Sequence, residues 1–339
     1  MANESQILHN YLKKAVTDTG APSLSAAVAI EDKIIASAAF GDANKDKVIK
    51  ATTATQYRTG SVAKVITATA FMSLIEQNKV LLSDDIREYL PYFPKKKWKI
   101  SIENLLTHTA GIRGYNWGEY GSDIHYNSLA ESSLVFSGEP LLFKPGSQYL
   151  YTTYGFNLIQ GVIEKVTGST PTEFLSEVLF QPAGMIQTEL EFHYRNYPNL
   201  AIGYRSFLKS VPVQKIDVSN KFLGGGMLST PTDLVKMVIA LNQGRLLKTT
   251  TKELMWSVPF PKIADFQAYG WEWIERKNIR GVTMDGQING FESLILYIPQ
   301  HKMTVAMMVN QDNYDYTGRT GFGIAELFIN QFGSNQATK

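Results

Sequence analysis

Residues 61–75, SVAKVITATAFMSLI, constrain this chain more than any other stretch. Their apolar side chains cover nearly the whole circumference of a helix, and such a helix holds only when it is surrounded. The fold must therefore put it near the centre. Lys64 is its only charge. Burial disfavours the ammonium form, and the first turn carries the positive end of the helix dipole. Ser61 lies one turn earlier on the same face, and Gly60 before it permits a close approach or an unusual turn. A hydroxyl beside an amine able to be neutral is a nucleophile–base pair. The plain alternative has Lys64 snorkelling to solvent and Ser61 acting only as a helix cap.

The rest of the chain must enclose this helix. Its 339 residues suffice for about two domains, or one with an insertion, without a metal or disulfide staple. Lys+Arg 33 against Asp+Glu 31 gives +2, too balanced for a nucleic-acid footprint. The absence of cysteine excludes disulfides, thiol catalysis and Cys-ligated zinc or iron–sulfur centres. No segment approaches the ~18 continuous apolar residues of a spanning helix. MANESQILHNYLKKA contains no apolar h-region, so no secretory signal is expected, and the compartment stays open between cytoplasmic and extracytoplasmic.

Residues 3–18 read as an amphipathic helix stopped by Gly20. Two strand-like runs, 24–30 and 34–39, follow around the polar turn Glu31-Asp32-Lys33. Near the other end, 269–275 alternates, 292–298 and 303–309 read as strands, and 321–332 as a closing helix. The two ends are expected to share one antiparallel sheet. The fold class is therefore α/β (α+β), with a sheet domain from residues 1–60 and 215–339 and a mainly helical domain from 61–214. Within the latter, Thr170-Pro171-Thr172-Glu173 is a capping box, and Ser101 opens a short helix. Residues 111–123, rich in Gly, Tyr and Trp, read as a long loop. Gly224-Gly225-Gly226 reads as a tight strand-to-helix connection.

Other chemistries find no support. There is no Gly-x-Ser, no H-E-x-x-H among five histidines, and no phosphate-loop glycine pattern, so neither a metal nor a cofactor is expected. His108 reads as a turn histidine satisfying backbone groups. Asn310, Asn313 and Arg319 read as solvated loop residues.

At Ser61-Val62-Ala63-Lys64 the chain resembles the serine β-lactamase and penicillin-binding protein superfamily, in its class C β-lactamase, esterase and D-peptidase branch with the LACTB-like hydrolases. The stretches TQYRTGSVAKVITATAFMSLIEQNKVLLSDDIREYLPYFP, ISIENLLTHTAGI, YTTYGFNLIQGVIEKVTG and GGGMLSTPTDLVKMV carry the likeness over most of residues 20–330. The resemblance implies a β-lactamase/transpeptidase-like fold, with Ser61 as nucleophile, Lys64 as base and Tyr151 as acid/base. A cationic Lys64 beside Tyr151 would favour its phenolate. The resemblance also implies an oxyanion hole from the Ser61 and Gln287 backbone N–H groups, with Thr153, Met284, Asp285 and Gly286 lining the substrate. Two departures stand out. Thr153 replaces the asparagine of the second motif, and Met284 replaces the cation or imidazole of the third. The expected activity is acyl transfer on small peptides, D-amino-acid amides or esters, with weak or no β-lactam turnover. The alternative is an impaired penicillin-binding-like protein that holds peptide or cell-wall fragments without turnover. The oligomeric state is left open.

Overall fold

The computed structural model describes residues 2–206, 211–276, 278–314 and 318–333. Its strands are β1 (Ser23–Ile30), β2 (Lys33–Asn44), β3 (Ile49–Lys50), β4 (Tyr57–Arg58), β5 (Glu189–Leu190), β6 (Met227–Ser229), β7 (Glu272–Arg276), β8 (Ile279–Ile288), β9 (Phe291–Ile298) and β10 (Met303–Val309). Seven of them form an antiparallel sheet in the order β3-β2-β1-β10-β9-β8-β7. The two ends of the chain meet at its centre, where β1 pairs with β10 from Leu24↔Val309 to Ile30↔Met303. The β1–β2 hairpin turns on Glu31 and Asp32, both at positive φ, the conformation that matches the strand twist in a two-residue turn.

The sheet is a middle layer. Along β1, Leu24, Ala26 and Val28 face a core shared with the terminal helices Ala2–Thr19 and Arg319–Gly333, through Leu8, Leu12, Phe322 and Phe328. Ala27 and Ala29 face the opposite, larger core, which contains the helices of the middle of the chain. Both faces are covered, so β9 and β10 are buried at every position and read as continuous apolar runs.

The helix Val62–Glu76 lies in the larger core with every residue from Val62 to Leu74 buried, as its uncharged surface demands. The boxes at Ser101 and Thr170 cap their helices as expected. Two readings need correction. The C-terminal half contributes four strands to the main sheet, not three; β8 was not visible as an alternation because both its faces pack and two glycines interrupt it. The triple glycine closes a short helix, Phe222–Gly225, and leads into β6, so it connects helix to strand.

Candidate active site

The turn that leads into Ser61 is pinned from two sides. Thr59 N–H donates to the Met227 carbonyl (2.9 Å) in the small β4–β6–β5 sheet, and Ser293 Oγ on β9 donates to the Thr59 carbonyl (2.6 Å). Gly60 sits at φ +48°, and a Cβ there would stand 2.7 Å from Gln287 N. A Cβ on Gly286 would stand 2.1 Å from Thr59 O and 3.0 Å from Ser61 N. Two glycines thus let β8 and the turn before the helix touch backbone to backbone.

Ser61 occupies the N-cap position, but its side chain makes no capping bond. Tyr151 Oη donates to Ser61 Oγ at 2.6 Å, and Lys64 Nζ lies 3.1 Å from it. Lys64 does not snorkel: it is fully buried, with Nζ also 2.6 Å from the Gly224 carbonyl and 3.2 Å from Thr153 Oγ1. These three acceptors match the three N–H groups of an ammonium. In the neutral form two N–H groups would serve Gly224 and Thr153, and the lone pair would face the Ser61 hydroxyl.

Burial lowers the Lys64 pKa to about 7; the carboxylates of Glu272 and Asp285 oppose the shift, and the cation of Lys221 reinforces it. Tyr151 moves the other way. Burial raises its pKa well above the ordinary phenol, against the Ser61 hydrogen bond, with Glu272 and Asp285 adding to the rise. The expectation of a phenolate is therefore corrected: the resting side chain is a phenol, poised to donate.

The segment carrying Tyr151 rests on His108. Leu150 N–H donates to the His108 carbonyl (2.9 Å), Thr152 N–H donates to Nδ1 (3.2 Å), and the imidazole lies against the phenol, tilted by 35°, with centroids 4.4 Å apart. An accepting Nδ1 places the ring proton on Nε2. Burial, with the nearby Lys64 charge, holds the His108 pKa down to about 3, so the ring stays neutral. The turn reading of His108 holds, at φ +56°, but its ring also supports Tyr151.

Four residues were expected to bind substrate. Thr153 is buried and its hydroxyl serves Lys64. Met284 is also buried, paired with Ile295 on the face that enters the larger core, and offers no polar group. Gly286 packs on the turn Thr59–Ser61. Asp285 alone is exposed, on the rim of β8 beyond the end of β7. Its carboxyl is raised by the low-dielectric wall behind it, and Glu272, at the start of β7, is raised by burial and by Asp285 to about 7.

Gln287 sits where β8 has lost its β7 neighbour, and its carbonyl accepts from Tyr120 Oη at 2.9 Å across the cleft. In a strand the N–H and C=O of one residue point to the same side. The Gln287 N–H therefore faces the cleft as well, beside Gly60 and the Ser61 amide.

Two residues escaped the sequence reading. Lys221, buried beneath the 111–123 loop, donates to the Tyr120 carbonyl (2.6 Å) and lies over the rings of Tyr115 and Tyr120. Glu272 contributes the negative charge nearest in effect to Lys64. Neither belongs to a motif. Asn310 also needs correction: it is buried, accepting from Ser23 N–H and Oγ (both 2.8 Å) and donating to the Ile202 carbonyl, so it ties β1 to a crossing loop.

Residues 8–326 match the sequence profile of the Beta-lactamase family. The chain belongs to the Beta-lactamase family. Among its relatives, the putative penicillin-binding protein PbpX of Bacillus subtilis is 28% identical over 258 residues, covering 75% of this chain and 62% of PbpX. The mitochondrial serine β-lactamase-like protein LACTB of Homo sapiens is 24% identical over 388 residues, covering 85% of this chain and 71% of LACTB. The chain thus spans less than two thirds of PbpX. The D-amino acid amidase of Ochrobactrum anthropi, solved with D-phenylalanine, superposes with a TM-score of 0.81 at 19% identity over 99% of this chain and 100% of the amidase. The β-lactamase/transpeptidase-like fold is therefore the fold of this family member.

Proposed function

We propose that this protein is a serine hydrolase that cleaves amides or esters of small peptides and D-amino acids through a covalent acyl-enzyme. One observation carries the reading: Ser61 Oγ lies 2.6 Å from Tyr151 Oη and 3.1 Å from the Nζ of a fully buried Lys64. Lys64 takes the hydroxyl proton as Ser61 Oγ forms a bond to the substrate carbonyl carbon. The oxyanion accepts from the Ser61 and Gln287 N–H groups, each worth about 3–4 kcal/mol in the transition state. On collapse the carbonyl–nitrogen bond breaks and Tyr151 protonates the leaving amine. The proton held by Lys64 returns to Tyr151. Water then attacks the acyl-enzyme by the same relay in reverse, releasing the acid and restoring Ser61.

Class C-like β-lactam turnover should be slow. Met284 supplies no cation for the drug's carboxylate, and Asp285 puts a negative charge on the same rim. Relatives named for penicillin binding, and a D-amino acid amidase of like fold, support the substrate class. A panel of D- and L-aminoacyl amides, esters and a β-lactam, compared between wild type and Ser61→Ala, tests the proposal. Turnover of a D-aminoacyl amide or ester that Ser61→Ala abolishes is expected. A second reading, binding without turnover, draws on the hydrogen bond by which Tyr120 closes on Gln287. It requires ligand binding that survives Ser61→Ala with no hydrolysis anywhere in the panel.

A further inference from the structure

Three ligating side chains from distant parts of the sequence converge outside the serine site. His125 Nδ1 lies 2.9 Å from Asp217 Oδ2, and His193 Nδ1 lies 3.9 Å from the same oxygen. The three donor atoms are all within 4.8 Å of one another, and the two imidazole centroids are 3.8 Å apart. A hydrogen bond accounts for His125 against Asp217. It does not account for a second imidazole that turns the same nitrogen toward the same oxygen.

We propose that His125, His193 and Asp217 form a binding site for one divalent transition-metal ion of the zinc class, with a solvent molecule as fourth ligand. Tetrahedral zinc holds nitrogen and oxygen donors at about 2.0–2.1 Å, which puts neighbouring donors about 3.3 Å apart. The 2.9 and 3.9 Å edges bracket that spacing, and small rotations of two exposed imidazoles bring in the third. Two imidazoles and a carboxylate suit zinc, cobalt, nickel or copper, whereas calcium and magnesium require more oxygen.

The surroundings are built to hold the carboxylate. Asp217 is buried, and its Oδ1 accepts from Ser219 N–H at 2.7 Å, which leaves Oδ2 for the histidines. Ser219 Oγ accepts in turn from the N–H of Tyr126, the neighbour of His125 (2.9 Å), and Asp217 N–H donates to the Ser122 carbonyl (3.1 Å). Lys215 Nζ donates to the His193 carbonyl at 3.3 Å. Orientation of this kind around the ligands supports metal affinity. Both imidazoles keep an exposed side where the solvent ligand can sit. The bound ion cross-links the loop of Tyr120 to the segment that carries Lys221.

The test needs no substrate. Wild-type protein stripped with a chelator is titrated with zinc against a chromogenic zinc indicator, alongside His125→Ala and His193→Ala. Both side chains are exposed, and circular dichroism verifies that each variant is folded. One zinc per chain is expected for wild type, with a raised Tm. Loss of a group that merely hydrogen-bonds to a ligand weakens metal sites about 10–100-fold, so loss of a ligand itself should weaken binding about 100-fold or worse. His193→Ala is the decisive variant, because it leaves the His125–Asp217 contact in place. Zinc that fails to bind wild type, or that binds wild type and His193→Ala equally, overturns the site.

Discussion

Tyr120 reaches from the aromatic loop across the cleft and donates its hydroxyl to the carbonyl of Gln287, 2.9 Å away. That carbonyl belongs to the open rim of β8, where an extended substrate would lay its own N–H. The loop is held in this pose by Lys221 at the Tyr120 carbonyl, and by Arg113, which grips Glu119 (2.7 Å) and Glu139 (2.7 Å). A substrate bound along this rim would displace a hydrogen bond worth about 1 kcal/mol. Tyr120→Phe removes the competitor while keeping the ring. We expect KM for amide substrates to fall about fivefold with kcat little changed. Steady-state kinetics reads this directly; an unchanged KM would mean that the Gln287 carbonyl takes no part in binding.

The charges around Lys64 give opposed predictions. Glu272 holds the ammonium up and Lys221 pushes it down. Glu272→Gln should move the acid limb of the acylation profile to lower pH, and Lys221→Met should move it to higher pH, each by up to about one pH unit. Single-turnover rates across the pH range read both. Shifts in the same direction would contradict the assignment of Lys64 as the titrating base.

Lys64 also makes stability pH-dependent. Its folded pKa of about 7 lies below the ~10.4 of an unfolded lysine. Between those values the unfolded chain binds more protons, so stability from this group rises with pH and levels off above about 10. The slope is at most about 1.4 kcal/mol per pH unit. Lys64→Met should flatten the rise in denaturation midpoint between about pH 7 and pH 9. Lys221, lowered to about 8 by burial, leaves a smaller residual slope of the same sign. Identical pH dependence in wild type and variant would show that Lys64 is not buried as described.

Gly60→Ala tests the backbone contact beneath Ser61. Alanine there meets a left-handed φ, at about 1–2 kcal/mol, and a Cβ position 2.7 Å from Gln287 N, which adds an overpacking cost of about 1–3 kcal/mol. A loss of about 2–5 kcal/mol in urea unfolding is expected, with acylation impaired because β8 and Ser61 are forced apart. A neutral substitution would remove the contact from the account.

Much of this was legible in the sequence, for physical reasons. The serine helix announced itself because an uncharged circumference has one solution, complete burial, and Lys64 could then be read as a buried amine. The hairpin and the β9 and β10 strands were readable as short apolar runs between polar turns. β8 was not, because Gly281 and Gly286 break its run and both faces pack. The direction of the Tyr151 shift was also hidden. It depends on how deeply the phenol sits on His108 and on carboxylates at Glu272 and Asp285, none of which a local motif reports. Lys221, Glu272 and the His125–His193–Asp217 cluster were invisible for one common reason: each matters through partners brought near only by the fold.

The central claim is that Ser61 is the nucleophile and gives its proton to a neutral Lys64, and the rate of covalent labelling by a fluorophosphonate, followed by intact-protein mass spectrometry from about pH 5 to about pH 9, tests it most directly. A single adduct is predicted, absent in Ser61→Ala, whose rate climbs to a plateau with a midpoint near 7 and falls by about 10²–10⁴ in Lys64→Met. A rate that is flat over that range, or an adduct that persists in Ser61→Ala, would contradict it.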